Sequence, residues 1–350
     1  MKEVVCTGKP HRHHVLDLVI THYMSPWSLG KPWFDMLALQ RNISFDDIGV
    51  ILINDGEESR MEDELFEVYP FEVRNICIPH GGVSVARNAG IDAADADWVM
   101  ICDFDDTFLS VNALHVLLTA AKDDTKVMYW SHFMEEIAKQ DGEIIYHSHS
   151  RDYIFNHGKM FRLSWLRAND LRYHDKLTLH EDVYFNTLTQ AVALDEEIGE
   201  INGSLYLWCW NPDSVSRKYD NWIIKTFSHQ IRQRIAIAQQ LEKRGLKDAL
   251  DLTVVKTIID GYYDFQQETW HSAELTKDYR LAERWFCTFM KEYWRVYKEI
   301  DPKKIAGMAK LARNYRLDQG TLLMESITLR EFFLHMVNDV KPIPKEEWNL

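Results

Sequence analysis

Trp98-Val99-Met100-Ile101-Cys102-Asp103-Phe104-Asp105-Asp106 decides how the first half of this chain folds. Residues 98–102 form a short, unbroken apolar run, the pattern of a strand buried on both faces in a parallel sheet. Three carboxylates then fall on four residues, where they repel one another unless a cation or a set of donors compensates them. Open parallel sheets bind ligands beyond the carboxyl ends of their strands. The acidic cluster therefore stands where a ligand site is expected, and an oxygen-ligated divalent ion bridging a diphosphate suits it.

Working outward, the same alternation recurs. Residues 15–21, 48–53 and 71–78 are apolar runs closed by polar residues or proline. Between and after them, residues 31–41 (with Pro32 in the first turn), 83–94 and 111–121 read as helices. This order predicts an α/β fold with a mainly parallel central sheet covered by helices. Polar residues follow three strand ends, at Thr21 to Tyr23, Asn54-Asp55 and Asp103 to Asp106, and are expected to converge on one crevice. Beyond residue 127, segments 126–136 and 143–149 read as two strands about the Gln140-Asp141-Gly142 turn. Segments 159–168 and 182–192 read as helices, and 204–210 as a strand. From 218 to 350 the pattern is helical throughout, so residues 1–217 are expected as one domain and 218–350 as an all-helical extension. Leu281, Trp285, Phe289, Tyr293 and Val296 recur at helical spacing and predict a core-facing stripe.

The net charge of −14 is uneven: residues 1–217 hold 18 Lys and Arg against 35 Asp and Glu, residues 218–350 hold 22 against 19. Such a field repels a long polyanion and disfavours nucleic acid as a partner. Apolar runs are too short for a transmembrane segment, and the first residues lack a secretory pattern. Five scattered cysteines without a Cys-x-x-Cys pair fit reduced thiols, so a cytoplasmic location is expected. His11 to His14 read as a solvated tail.

Gly82-Val83-Ser84-Val85-Ala86-Arg87-Asn88-Ala89-Gly90, followed by the acidic strand end, resembles the family 2 glycosyltransferases of GT-A fold. The resemblance extends in the family's order to Val19-Ile20-Thr21-His22-Tyr23, Ile53-Asn54-Asp55-Gly56, His157-Gly158-Lys159, His180-Glu181-Asp182 and Ser214-Val215-Ser216-Arg217. It spans about residues 15–217. Thr21 and Met24 stand where the family has Pro and Asn, and Glu57-Glu58-Ser59 where it has Ser-x-Asp, which leaves the identity of the donor base open. The family's Gln-x-x-Arg-Trp element is absent, which disfavours a processive membrane synthase.

The resemblance implies roles. Asp55 would accept a hydrogen bond from the donor base, commonly uracil; Tyr23 would stack near it and Thr21 line the same pocket. Arg87 and Lys159 would meet the nucleotide-sugar, and Asp103 and Asp105 would hold Mn²⁺ or Mg²⁺. Asp106 would add to the metal or donor-sugar contacts, and Ser214 and Arg217 would contact the diphosphate. Asp182 would be the general base, oriented by Glu181. A UDP-sugar donor, an acceptor glycan or other hydroxyl-bearing molecule, and inversion at the anomeric carbon follow. The helical extension would shape an acceptor site or form a homo-oligomer. Two rivals use the same residues: Asp103-Phe104-Asp105-Asp106-Thr107 also matches the Asp-x-Asp-x-Thr signature of haloacid dehalogenase-type phosphatases, with Asp103 as nucleophile. The other rival is an inactive transferase-like binding module.

Overall fold

A computed structural model describes residues 5–6, 11–139, 141–150, 152–214, 222–266, 272–318, 327–348 and 350. The chain divides into two compact units, Met1–Pro212 and Asp213–Leu350, so the packing divides a few residues before the change of sequence pattern at 217.

The first unit runs β1 (Val5–Cys6), β2 (Leu16–His22), α1 (Trp27–Ala38), β3 (Ile48–Asp55), β4 (Glu72–Ile78), α2 (Val83–Ala93), β5 (Trp98–Asp103), β6 (Thr107–Phe108) and α3 (Ala113–Ala120). It continues with β7 (Met128–Ala138), β8 (Ile144–His149), β9 (Lys159–Arg162), α4 (Leu163–Ala168), α5 (Glu181–Val192) and β10 (Ile198–Trp208). The strands form one sheet in the order β1-β4-β3-β2-β5-β9-β7-β10-β6, with β8 paired to β7. Its central run β4-β3-β2-β5 is parallel, and every residue of β2 and β3 is buried, as continuous apolar strands under two helical layers require. Register sets His22 opposite Asn54, Thr21 opposite Asp103 and Asp55 opposite Ile78. The three polar strand ends thus stand side by side, as the sequence pattern predicts.

Four expectations change. Residues 159–162 are a strand, not the first turn of a helix: β9 fills the gap between β5 and β7, antiparallel to both, and buries Met160 and Phe161. The helix begins only at Leu163. β10 starts at Ile198 rather than 204, because Ile198 to Ile201 pair in parallel with β7 before an irregularity that precedes Ser204. α1 starts at Trp27, so Pro32 lies inside it, where burial of Trp33, Phe34 and Leu37 outweighs the missing N–H. The residues before β2 are not a free tail: His14 is buried, its Nε2 3.0 Å from Glu72 Oε2, and His11 Nδ1 lies 3.0 Å from Oε1 of the same carboxylate.

The second unit is α6 (Trp222–Lys243), α7 (Lys247–Asp264), α8 (Thr276–Glu299), α9 (Pro302–Asp318) and α10 (Leu329–Asn338). Trp285, Phe289, Tyr293 and Val296 of the expected stripe are buried, whereas Leu281, near the start of α8, is exposed. Among the described residues no helix is long and apolar enough to cross a membrane.

Phe104, between the acidic residues, turns into the core, where α1 crosses it at Gly30. A Cβ at Gly30 would lie 2.1–2.5 Å from the Phe104 ring, so only glycine lets the helix approach this closely. Gly30→Ala is expected to destabilise by about 1–3 kcal/mol through overpacking, more than alanine's helix preference returns. Phe104→Leu in the same chain should abolish most of that loss, measured as urea midpoints in a double-mutant cycle.

Candidate active site

The turn after β5 places Asp103 at the strand's end and sends Asp106 inward. Asp106 Oδ2 accepts from the Tyr206 hydroxyl at 2.8 Å, and its Oδ1 accepts from the Cys209 N–H at 3.0 Å. The Tyr206 hydroxyl also accepts from the Asp103 N–H at 3.2 Å, so β10 holds the whole turn. Asp105 Oδ2 accepts from Asn211 Nδ2 at 2.8 Å. His157 Nδ1 lies 3.5 Å from Asp106 Oδ2, its ring packed among Phe155, Tyr206 and Trp208. The next residue, Gly158, takes φ +70°, and a Cβ there would sit 2.5 Å from Ser131 Oγ; glycine is what allows the turn that presents His157.

Among the described residues, Asp103, Asp106 and His157 offer donor atoms all within 4.8 Å of one another. The resemblance pairs Asp103 with Asp105 for this purpose; the geometry adds Asp106 and His157, and directs one Asp105 oxygen to Asn211. Burial pushes the His157 imidazole down to about 4 against the opposing charge of Asp103, which leaves it neutral and able to offer a lone pair. Burial and the charges of Asp105 and Asp103 push the Asp106 carboxyl well above its ordinary range. Clustered carboxylates of this kind are relieved by a cation.

Arg87, on α2, ties this acidic end to another one. Its Nη2 donates to Asp103 Oδ1 at 2.7 Å and its Nη1 to Glu181 Oε1 at 2.7 Å, with the guanidinium carbon 5.3 Å from the Tyr173 ring centroid. The same helix fastens the segment leading to Glu181. Asn88 Nδ2 donates to the Tyr173 carbonyl at 2.9 Å and to Asp175 at 2.8 Å, and its Oδ1 accepts from the Tyr173 N–H at 2.9 Å. Ser84 Oγ donates to the Leu177 carbonyl at 3.0 Å. The Ala-Arg-Asn motif therefore positions α5 as well as facing the pocket.

Asp182 lies in the first turn of α5, just after His180, a left-handed residue at φ 61°. Its Oδ1 accepts from the Val183 N–H at 2.7 Å. Burial and the neighbouring Glu181 charge push its carboxyl up to about 7. Lys159 is buried; its ammonium donates to the Phe155 carbonyl and lies 3.7 Å from Asp152 Oδ1. Burial pushes it down to about 8, opposed by the charges of Asp152 and Asp182.

At the third strand end, Asp55 accepts from the Gly81 N–H at 2.7 Å and the Gly82 N–H at 2.9 Å, with His80 Nδ1 3.0 Å from its Oδ2. The His80 ring stacks on Tyr23 at 4.2 Å, and Tyr23 keeps 48% of its surface exposed. Thr21 is buried beside Asp103 in the register of the sheet. Residue patterns gave no signal for His80, because its partner Asp55 is 25 residues earlier, nor for Tyr206. Ser214 belongs to the second unit, and Arg217 lies outside the described residues.

The sequence description "Glycosyl transferase family 2" matches residues 20–183, which hold all three strand ends and reach Glu181-Asp182. The chain carries a family 2 glycosyltransferase domain. It is a glycosyltransferase, which decides between the two readings of the Asp-Phe-Asp-Asp-Thr stretch against the phosphatase. No curated protein matches the chain. Among solved structures, this glycosyltransferase is similar to S. aureus TarS 1–349, at 15% identity and TM-score 0.57, covering 87% of this chain and 92% of that one. TarS 1–349 in complex with UDP-GlcNAc is similar at 14% and 0.57, with coverages of 87% and 92%. TarS 1–349 in complex with UDP is similar at 14% and 0.54, covering 94% of each. At such identities the likeness establishes the fold, a GT-A-like α/β sheet with a helical C-terminal region.

Arg87→Gln leaves two carboxylates facing each other without their cation, and is expected to cost roughly 3–5 kcal/mol, read from urea unfolding at pH 7. Burial raises the Asp103 carboxyl, but Arg87 outweighs it and holds the group below its ordinary value. A depressed folded-state value contributes stability that is present above the unfolded value and lost as pH falls through the folded one. The gap between wild type and variant should therefore narrow below pH of about 4.

Proposed function

We propose that this glycosyltransferase takes its sugar from a UDP-sugar and transfers it, with inversion, to an acceptor hydroxyl on a glycan or another hydroxyl-bearing molecule. The observation that carries the reading is the Arg87 bridge, which draws the acidic end of β5 and the acidic start of α5 to opposite ends of one guanidinium.

Asp103, Asp106 and His157 fit a divalent ion as two carboxylates and a neutral imidazole, with Asp105 next to them. A nitrogen donor among the oxygens favours Mn²⁺ over Mg²⁺. Such an ion, when bound, supplies charge stabilisation to a departing diphosphate. On the nucleotide side, the exposed face of Tyr23 suits stacking against the base. A carboxylate has about four lone-pair sites, and Gly81, Gly82 and His80 occupy three at Asp55, leaving one for a base N–H. Lys159 is held inside by Phe155 and Asp152, so its role is to fix the His157-Gly158 turn rather than to reach the sugar. Ser214 and Arg217 are assigned to the diphosphate on the family's pattern.

An acceptor hydroxyl is a poor nucleophile, so a base must take its proton as attack proceeds. Asp182 fits, because a carboxyl raised to about 7 is a stronger base than an ordinary carboxylate and is still about half ionised at neutral pH. Glu181, pinned by Arg87, keeps a negative charge beside it and sustains that basicity. One base and one displacement invert the anomeric centre.

Thermal-shift measurements with nucleotides and nucleotide-sugars, with and without MnCl₂, should show selective stabilisation by UDP compounds that needs the metal and is lost in Asp103→Asn. Indifference to every nucleotide in the presence of metal would end this reading. Asp182→Asn should keep donor binding while kcat falls by about 10²–10⁴-fold. In the wild type kcat should decline as pH drops below about 7, because the base is then protonated. NMR of the product should find inverted configuration; retention would remove Asp182 from its role.

A further inference from the structure

Helix α5 carries a polar stripe of which the chemistry above uses only the first residue. Asp182, Asn186 and Gln190 recur at steps of four and so lie on one face of the helix. Asp182 is the proposed base. The other two reach the segment from Asp152 to Asn156, which has no regular structure and leads directly into His157.

Backbone groups outside helices and sheets must find partners elsewhere, and here α5 supplies them. Asn186 Nδ2 donates to the Ile154 carbonyl at 2.8 Å, to Asn156 Oδ1 at 3.2 Å and, one turn back in its own helix, to the Asp182 carbonyl at 3.0 Å. Gln190 Nε2 donates to the Tyr153 carbonyl at 2.9 Å. Asn156 Oδ1 also accepts from the Tyr173 hydroxyl at 2.8 Å, and the Tyr173 ring stacks on Phe185 of α5 at 4.2 Å. Asn156, Tyr173 and Asn186 are all buried.

Stability alone does not account for the amide of Asn186. Its Oδ1 is buried with no hydrogen-bond partner among the described residues, which is unfavourable, and a leucine of similar size would avoid that loss. What the amide gives in return is its donors, which fix the course of the chain just before His157. The turn at Gly158 fixes the course just after it. Between these two restraints the imidazole stands 3.5 Å from Asp106 and within reach of Asp103 as a donor.

We propose that Asn186 is a positioning residue for the cation site: acting through Asn156, it holds His157 where the imidazole joins Asp103 and Asp106. The helix that carries the base thereby also supports the nitrogen donor of the cation, and Asn186 itself need not touch the ion. The proposal rests on the cation reading given above.

Binding of Mn²⁺ to the full chain, followed by the paramagnetic resonance of the free ion, tests this in a double-mutant cycle. Asn186→Leu is expected to weaken Mn²⁺ binding by about tenfold or more, as loss of a group that orients a metal ligand does. Beside His157→Gln, which removes the imidazole, the same substitution should have little further effect. A merely structural role would lower the urea midpoint and leave the Mn²⁺ affinity of the folded chain unchanged. Tyr173→Phe keeps the stacked ring and removes only the hydroxyl bonded to Asn156. It should act in the same direction, and it carries the test where Asn186→Leu fails to fold. If the wild type binds no Mn²⁺, the cation reading and this proposal fall together. If the wild type binds and the variant binds as tightly, or if the variant's loss persists undiminished beside His157→Gln, this proposal alone is overturned.

Discussion

A single guanidinium holds the active end of the first unit together. Arg87 spans from Asp103 to Glu181, residues 16 and 94 positions away along the chain, and is itself almost wholly buried. Burying a cation is favourable only when its charge is matched and its donors are used. Two carboxylates brought this close are tolerable only with a cation between them. Each side of the bridge therefore requires the other, and the strand end and helix start that carry them are fixed as a consequence. Asn88 and Ser84, one and three residues from Arg87, complete the arrangement by tying down the segment that leads into α5.

The acidic residues of this unit separate into two kinds by what their oxygens touch. Asp17 is fully buried at the far end of β2, where it accepts from Arg74 at 2.7 Å and from two backbone N–H groups at Asp95 and Ala96. It braces the fold. Asp55 holds the loop before α2, and Asp106 is locked by Tyr206 and Cys209. Asp103 and Asp182 are less committed, with one ion-pair partner and one neighbouring N–H respectively. Fixed carboxylates set the frame in which the less constrained ones face the pocket. Fixed dipoles and charges of this kind need little rearrangement when a charged ligand arrives.

In the helical unit the same accounting gives another answer. Arg316 reaches two carboxylates, Asp260 and Asp264, and the charges of the same acids act on Arg234, that of Asp260 on Lys256 as well. Three cations and two carboxylates thus share the lining of one cavity and leave a single net positive charge there.

The sequence by itself determined the alternation of strands and helices, the convergence of Thr21, Asp55 and Asp103 at neighbouring strand ends, and the resemblance to a family. These are local properties: burial on both faces demands continuous apolar strands, and chain order with right-handed crossovers leaves few arrangements. Tertiary structure alone decided that residues 159–162 pair as a strand, since that depends on a gap between β5 and β7 invisible along the chain. It also decided which acid faces which partner. His157 meets Asp106 across 51 residues, and Asp105 meets Asn211 across 106. Electrostatic matching and hydrogen bonding act at ångström range between groups far apart in sequence, so residue type and spacing can nominate such groups but cannot pair them.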